Sequence, residues 1–221
     1  MLFLAQLPRR WITIQVPGTY GERIPGTYVG YDELPPPPAD VADLDWLREA
    51  PRHPEDYLAS ASEDAVKDLS AQAVTDLVGD RATLPADFAR FLDEGLRDRL
   101  RSATDSYFDL GDFIVAVEGG RLLHLISDSQ WVYHWLLYLG DDGTSAVIGT
   151  GVPTGFTLDP EDAAYYQQAS TGFVLVADSF AEFTWRWWKD NETFYRAVVD
   201  KTSLTADEQS YVAQYGPPTP L

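Results

Sequence analysis

VADSFAEFTWRWWKDNETFY, residues 176 to 195, places three of the chain's seven tryptophans within four positions and surrounds them with phenylalanine and tyrosine. Ser179 with Glu182 three residues on has the spacing of a capping box, in which the hydroxyl and the carboxylate satisfy the first free N–H groups of a helix. From that start Phe180, Phe183, Trp187, Phe194 and Val198 cover one face, and Trp185, Trp188, Tyr195 and Val199 cover an adjoining one. An apolar arc this wide exceeds a single contact, so the helix is expected to lie on a sheet with a second element closing over its flank. Aromatics at helical spacing read as packing, because each fully buried ring contributes about 1.5 to 3 kcal/mol. One edge, at Trp185 and Trp188, is left for a ligand or partner.

The sheet is predicted upstream of that helix. Between residues 107 and 150, FIVAV, LLHLI, WVYHWLLYL and SAVIG follow one another, separated by EGGR and by Asp142-Gly143. Short branched and aromatic runs punctuated by glycine turns predict an antiparallel meander of about four strands. Two helices are expected before it. One runs from about Glu55 to Val78 and stops at Gly79; the other starts near Thr83 and carries Leu84, Phe88, Phe91, Leu92, Leu96 and Leu100 on one face, with Gly95 weakening or ending it. Asp159-Pro160 opens a further short helix through Gln168.

The opening segment has a strand-like alternation in WITIQV (11–16), the turn sequence PGTY at positions 17 and 25, and four prolines, Pro35 to Pro38, that suit an extended linker or a strap laid over a surface. Together these features predict an antiparallel meander with the tryptophan-rich helix lying on it and the opening segment closing over its flank. Residues 81–200 form the domain, residues 1–80 an extension packed on it, and residues 201–221 a tail.

Composition narrows the chemistry. With 221 residues and 45% apolar content the chain can bury a core. A formal charge of -19 repels phosphate backbones and anionic headgroups, so nucleic acid and membranes are set aside and a basic protein is favoured as partner. There is no cysteine, hence no disulfide and no thiolate chemistry, and no apolar run approaches a membrane span; the reading is a soluble, cytoplasmic protein. No GxSxG, HExxH or phosphate-cradling glycine loop occurs, so no catalytic residue, metal or cofactor is assigned. His124 and His134, with Asp128 as a third ligand, are set aside as a metal site because strand histidines are more commonly satisfied polar groups.

Charge is distributed unevenly. No Lys or Arg occurs from Leu122 to Trp185, where eight acids lie: Asp128, Asp141, Asp142, Asp159, Glu161, Asp162, Asp178 and Glu182. If the strands form one sheet, these carboxylates are expected to converge as an uncompensated acidic face that steers a basic protein. The other reading is a solubilising surface.

LPADFARFLDEG (84–95), the meander with WVYHWLLYLGDDG (131–143), and VLVADSFAEFTWRWW (174–188) resemble, in order and spacing, the SUKH superfamily of bacterial immunity proteins and a yeast regulator of cell-wall assembly. The resemblance covers about Leu84 to Val199 and implies an α+β domain, a curved antiparallel sheet of about four to six strands backed by helices, that binds another protein and has no catalytic centre. Many members look like neutralisers of toxins, often nucleases, which are basic. The expectation is therefore an immunity protein blocking a basic toxin domain. Asp109, Asp112, Asp128, Asp141 and Asp142 are expected as contact acids, with Tyr107 and Trp131 as aromatic anchors. A regulatory scaffold using the proline strap, and a glycan or small-ligand binder using Trp185 and Trp188, remain as alternatives.

Overall fold

The computed structural model describes residues 2–19, 23–24, 26–53, 58, 70–79, 82–108, 110, 114–151 and 172–221. In chain order these form helix α1 (Leu2–Ala5), strands β1 (Trp11–Thr13) and β2 (Val29–Tyr31), a 3-10 turn (Val41–Asp43), and helices α2 (Asp45–Glu49), α3 (Ala71–Val78) and α4 (Ala86–Asp93). A second 3-10 turn (Leu96–Arg99) leads into β3 (Tyr107–Phe108), β4 (Ile114–Val117), β5 (Gly120–Ser127), β6 (His134–Gly140), β7 (Ser145–Thr150) and β8 (Phe173–Ala177). Helix α5 (Phe180–Phe194) continues into a wider π-turn (Tyr195–Val199), and α6 (Ala206–Val212) and β9 (Thr219–Pro220) close the chain.

The predicted meander is present. β4, β5, β6 and β7 pair antiparallel in sequence order, joined by a two-residue turn at Glu118-Gly119 and by the turn at Asp141 to Gly143. Gly119 (φ 76°) and Gly143 (φ 82°) hold the left-handed backbone these turns require. β3 and β8 complete a six-stranded antiparallel sheet, and the architecture is α+β as expected. Of the helix predicted over residues 55–78, Ala71–Val78 is described, ending at Gly79 (φ 68°). The helix predicted over residues 159–168 lies outside the described residues.

Helix α5 lies on the sheet as its two-faced pattern requires. Trp135 of β6 meets Trp187 edge-on at 5.1 Å, and Phe180 sits between Phe88 (4.8 Å) and Phe91 (5.0 Å) of α4. Ser179 Oγ accepts from the Glu182 N–H (3.0 Å), while Glu182 reaches back to the N–H of Asp178 rather than to Ser179 itself. A second carboxylate also caps this helix: Asp87 of α4 accepts from the Ala181 N–H at 2.8 Å, so the LPADF and ADSF segments interlock. The expected apolar face stops short at its C-terminal end. Val198 and Val199 are exposed, because the π-turn rotates them off the helix's buried arc.

The opening segment and the tail meet in a second sheet of three strands, ordered β1-β2-β9. A buried carboxylate ties them to α5. Asp190 accepts from Trp11 Nε1 and from the hydroxyls of Tyr211 and Tyr215, each at 2.7 Å. Burial pushes the Asp190 carboxyl up despite these three donors. The proline segment is a strap: the buried guanidinium of Arg186 donates to the Pro35 carbonyl at 2.8 Å. Residues 8–10 run along the outer edge of β8, with Leu175 N donating to Pro8 O and Arg10 N to Leu175 O, so that sheet edge is covered. The second face of the large sheet, with Leu122, Leu136, Tyr138 and Ile148, carries Leu4 and Leu7 against it.

Candidate functional site

The residues expected to contact a partner fall into two groups at opposite ends of β6. Tyr107, paired with Ser127, stands with Asp128 and Trp131 before the strand, whereas Asp141 and Asp142 lie in the turn after it. Seven extended residues separate the two groups by about 20 Å. Asp109 and Asp112 lie outside the described residues.

Asp128 is not a contact acid. It is 1% exposed and accepts from the Tyr28 hydroxyl (2.8 Å) and the N–H groups of Gln130 (2.9 Å) and Val132 (3.4 Å). Its backbone closes the same loop, with Trp131 N donating to Asp128 O and Asp128 N to Tyr133 O. An Asx-type turn of this sort uses a short carboxylate to replace missing strand partners. The clamp has a consequence for its neighbours. Trp131 is held at φ 63°, a left-handed conformation disfavoured for a bulky residue, with 37% of its surface exposed, and Val132 beside it is 50% exposed. The adjoining turn is fastened to the loop by Ser129 Oγ donating to Thr104 O (3.1 Å), and it presents the exposed acid Asp105, also at positive φ. Val132 and Asp105 are members of this edge that sequence reasoning passed over.

The acidic face expected from the arginine-free stretch does not form among the described residues. Asp141 pairs with Arg121 at 3.4 Å, Glu182 with Arg186 at 2.9 Å, and Asp178 with Arg9 from the opening segment. Asp142 accepts from the hydroxyl (2.6 Å) and amide (3.0 Å) of Thr144, which hold its carboxyl below the usual range. Asp159, Glu161 and Asp162 lie outside the described residues. Compensation by cations just outside the stretch, or far from it, replaces the predicted convergence.

One further expectation is corrected. Trp185 is only 8% exposed and packs perpendicular to Tyr211 at 5.5 Å, and Trp188 is partly buried against Trp46 at 5.3 Å, so neither offers an open platform. His124 and His134 converge on a hydroxyl and share no ligand with Asp128: Ser127 Oγ lies 2.8 Å from His124 Nε2 and 2.9 Å from His134 Nδ1. Burial first, and the neighbouring His134 second, push His124 down to about 3; burial also lowers His134. The edge of the His134 ring meets Trp131 at 5.8 Å, so this neutral pair backs the exposed loop. Among the described residues no group of three His, Asp or Glu could hold a metal ion, and no helix is long and apolar enough to cross a membrane.

No protein-family model matches the chain, and no match was found among the curated proteins or the solved structures.

Proposed function

We propose that this chain is a non-enzymatic protein-binding domain of the SUKH kind, acting as an immunity protein that neutralises a basic, nuclease-type toxin domain. The observation that carries the reading is the loop from Asp128 to Tyr133, which a buried carboxylate clamps so that Trp131 and Val132 stand exposed on a strained backbone. Exposed aromatic anchors on a rigid element are what interface centres use, because little conformational freedom is lost on docking. The interlocking of Asp87 and Phe88 with Ala181 and Phe180 supports the resemblance, since its two helical segments pack as one unit. The charge of -19 steers a basic partner over long range, while contact is made by the loop and Asp105 rather than by Asp141 and Asp142.

The test is binding of the purified protein to any basic domains among the products of the genes neighbouring its own, measured by biolayer interferometry and by protection of cells expressing them. Trp131→Ala is expected to weaken binding at least about tenfold and to abolish protection. Lysine at both Asp141 and Asp142 is expected to slow association without removing protection. Failure of the unaltered chain to bind any such domain, or loss of protection only in the lysine variant, overturns the reading.

A further inference from the structure

Where the end of the large sheet faces the small one, a cleft of about 610 Å³ opens between Ile12 and Tyr28 on one side and Tyr133 and Val174 on the other. Its size and mainly apolar walls fall in the range of small-molecule sites, and such sites orient their ligands with a few fixed polar groups. Two polar groups here are held in place by the backbone opposite them. The stem of Arg10 lies flat over Gly30, where an added Cβ would come within 2.5 Å of its Cδ, and its backbone N–H is bonded to Leu175 O. Its Nε and Nη2 bind Asp32 at 2.7 and 3.2 Å, which fixes the plane of the guanidinium; among the described residues Nη1 makes no hydrogen bond, so the second edge faces no partner there. The Tyr133 ring lies over Gly149, where a Cβ would meet its hydroxyl at 2.5 Å. Tyr133 is 6% exposed and lines the cleft. Burial raises its pKa far above the ordinary tyrosine value, so the group stays a neutral donor.

We infer that this cleft binds a small amphipathic carboxylic acid, with the carboxylate on the open edge of Arg10 and the Tyr133 hydroxyl, and an aromatic or aliphatic body against Tyr28 and Val174. A guanidinium edge matches the two coplanar oxygens of a carboxylate, a fit that an alcohol or an amine lacks. The cleft borders the exposed loop but does not depend on the protein-binding reading, since occupancy is measured without a partner.

The probes are 3-phenylpropionate and its neutral counterpart 3-phenylpropan-1-ol, titrated into the full chain by calorimetry and followed through the amide resonances of Tyr133 and Val174. The acid is expected to bind in the millimolar range suited to a fragment, and the alcohol about tenfold more weakly. Arg10→Gln is expected to erase that preference and Tyr133→Phe to weaken the acid a few-fold. Thr27→Trp, which fills the cleft from its exposed rim, is expected to block both probes. Equal affinity for acid and alcohol, binding of neither, or an acid affinity unchanged in Thr27→Trp overturns the inference. Toxin binding by the same Thr27→Trp variant reads the loop separately, so failure here leaves that reading standing.

Discussion

The two ends of β6 carry the same residue type in opposite roles. Before the strand, Asp128 is buried and its oxygens are spent on Tyr28, Gln130 and Val132, so it behaves as a clamp for an exposed apolar loop. After the strand, Asp141 and Asp142 stay in water, one beside Arg121 and the other closing a turn with Thr144. The first arrangement organises backbone, whereas the second only decorates it. Surface ion pairs such as Asp141 with Arg121 contribute little, while a buried carboxylate that satisfies several donors cannot be removed without leaving them orphaned. Position relative to the sheet, not count of acids, therefore decides which end can act as a docking element.

Acid should break the two ends at different pH, and this is the largest effect expected. His124 is pushed down from 6.5 to about 3 in the folded chain, so the fold prefers its neutral form. Its contribution is complete above the ordinary histidine value and is lost as pH falls from there toward about 3. Asp142 loses its contribution in the same direction but only at lower pH, because its lowered carboxyl keeps that contribution at all pH above the ordinary carboxylate value of about 4. Between about pH 6.5 and 4.5, urea midpoints should fall and the Trp131 amide should broaden, while the Gly143 amide stays sharp. His124→Leu should flatten that acid limb. A midpoint independent of pH over this window would remove the histidine pair from the support of the loop.

Substitution sharpens the same contrast at fixed pH. Asp128→Ala leaves two backbone N–H groups of the loop without acceptors, at a cost of about 2 kcal/mol by urea denaturation, and faster hydrogen exchange should appear at Gln130 and Val132. Asp142→Ala removes a solvent-exposed turn contact and should lower stability by no more than about 0.5 kcal/mol. Comparable losses in both variants would mean that burial does not separate the two ends.

Periodicity and turn chemistry made the meander and α5 legible, since Gly119, Gly143 and Ser179 act on neighbours within four residues. The role of Asp128 was not legible, because its partner Tyr28 lies 100 positions away in the second PGTY turn. The predicted acidic face failed for a related reason. A window free of arginine along the chain is bounded by Arg121, which stands across from Leu139 and reaches Asp141, and by Arg186, one helical turn from Glu182. Arg9 reaches Asp178 across 169 positions. Linear charge runs record neighbours in sequence, and antiparallel pairing brings their flanks back over them. The exposed edge at Trp131 was half legible: the residue was singled out as an anchor, but its left-handed backbone could not be read from a sequence with no glycine or asparagine at that place.

That backbone supplies the smallest and most discriminating prediction. A non-glycine residue held at φ 63° stores about 1 kcal/mol or somewhat more, and glycine occupies the same region freely. Trp131→Gly should therefore raise stability by about 0.5 to 1 kcal/mol, the gain being trimmed by loss of the ring contact with His134. The same variant should lose toxin binding as Trp131→Ala does. Stability gained together with binding lost marks a residue kept for contact at the expense of the fold. If Trp131→Gly instead destabilises the chain, the indole is a packing group of the loop end, and the two ends of β6 differ in burial alone.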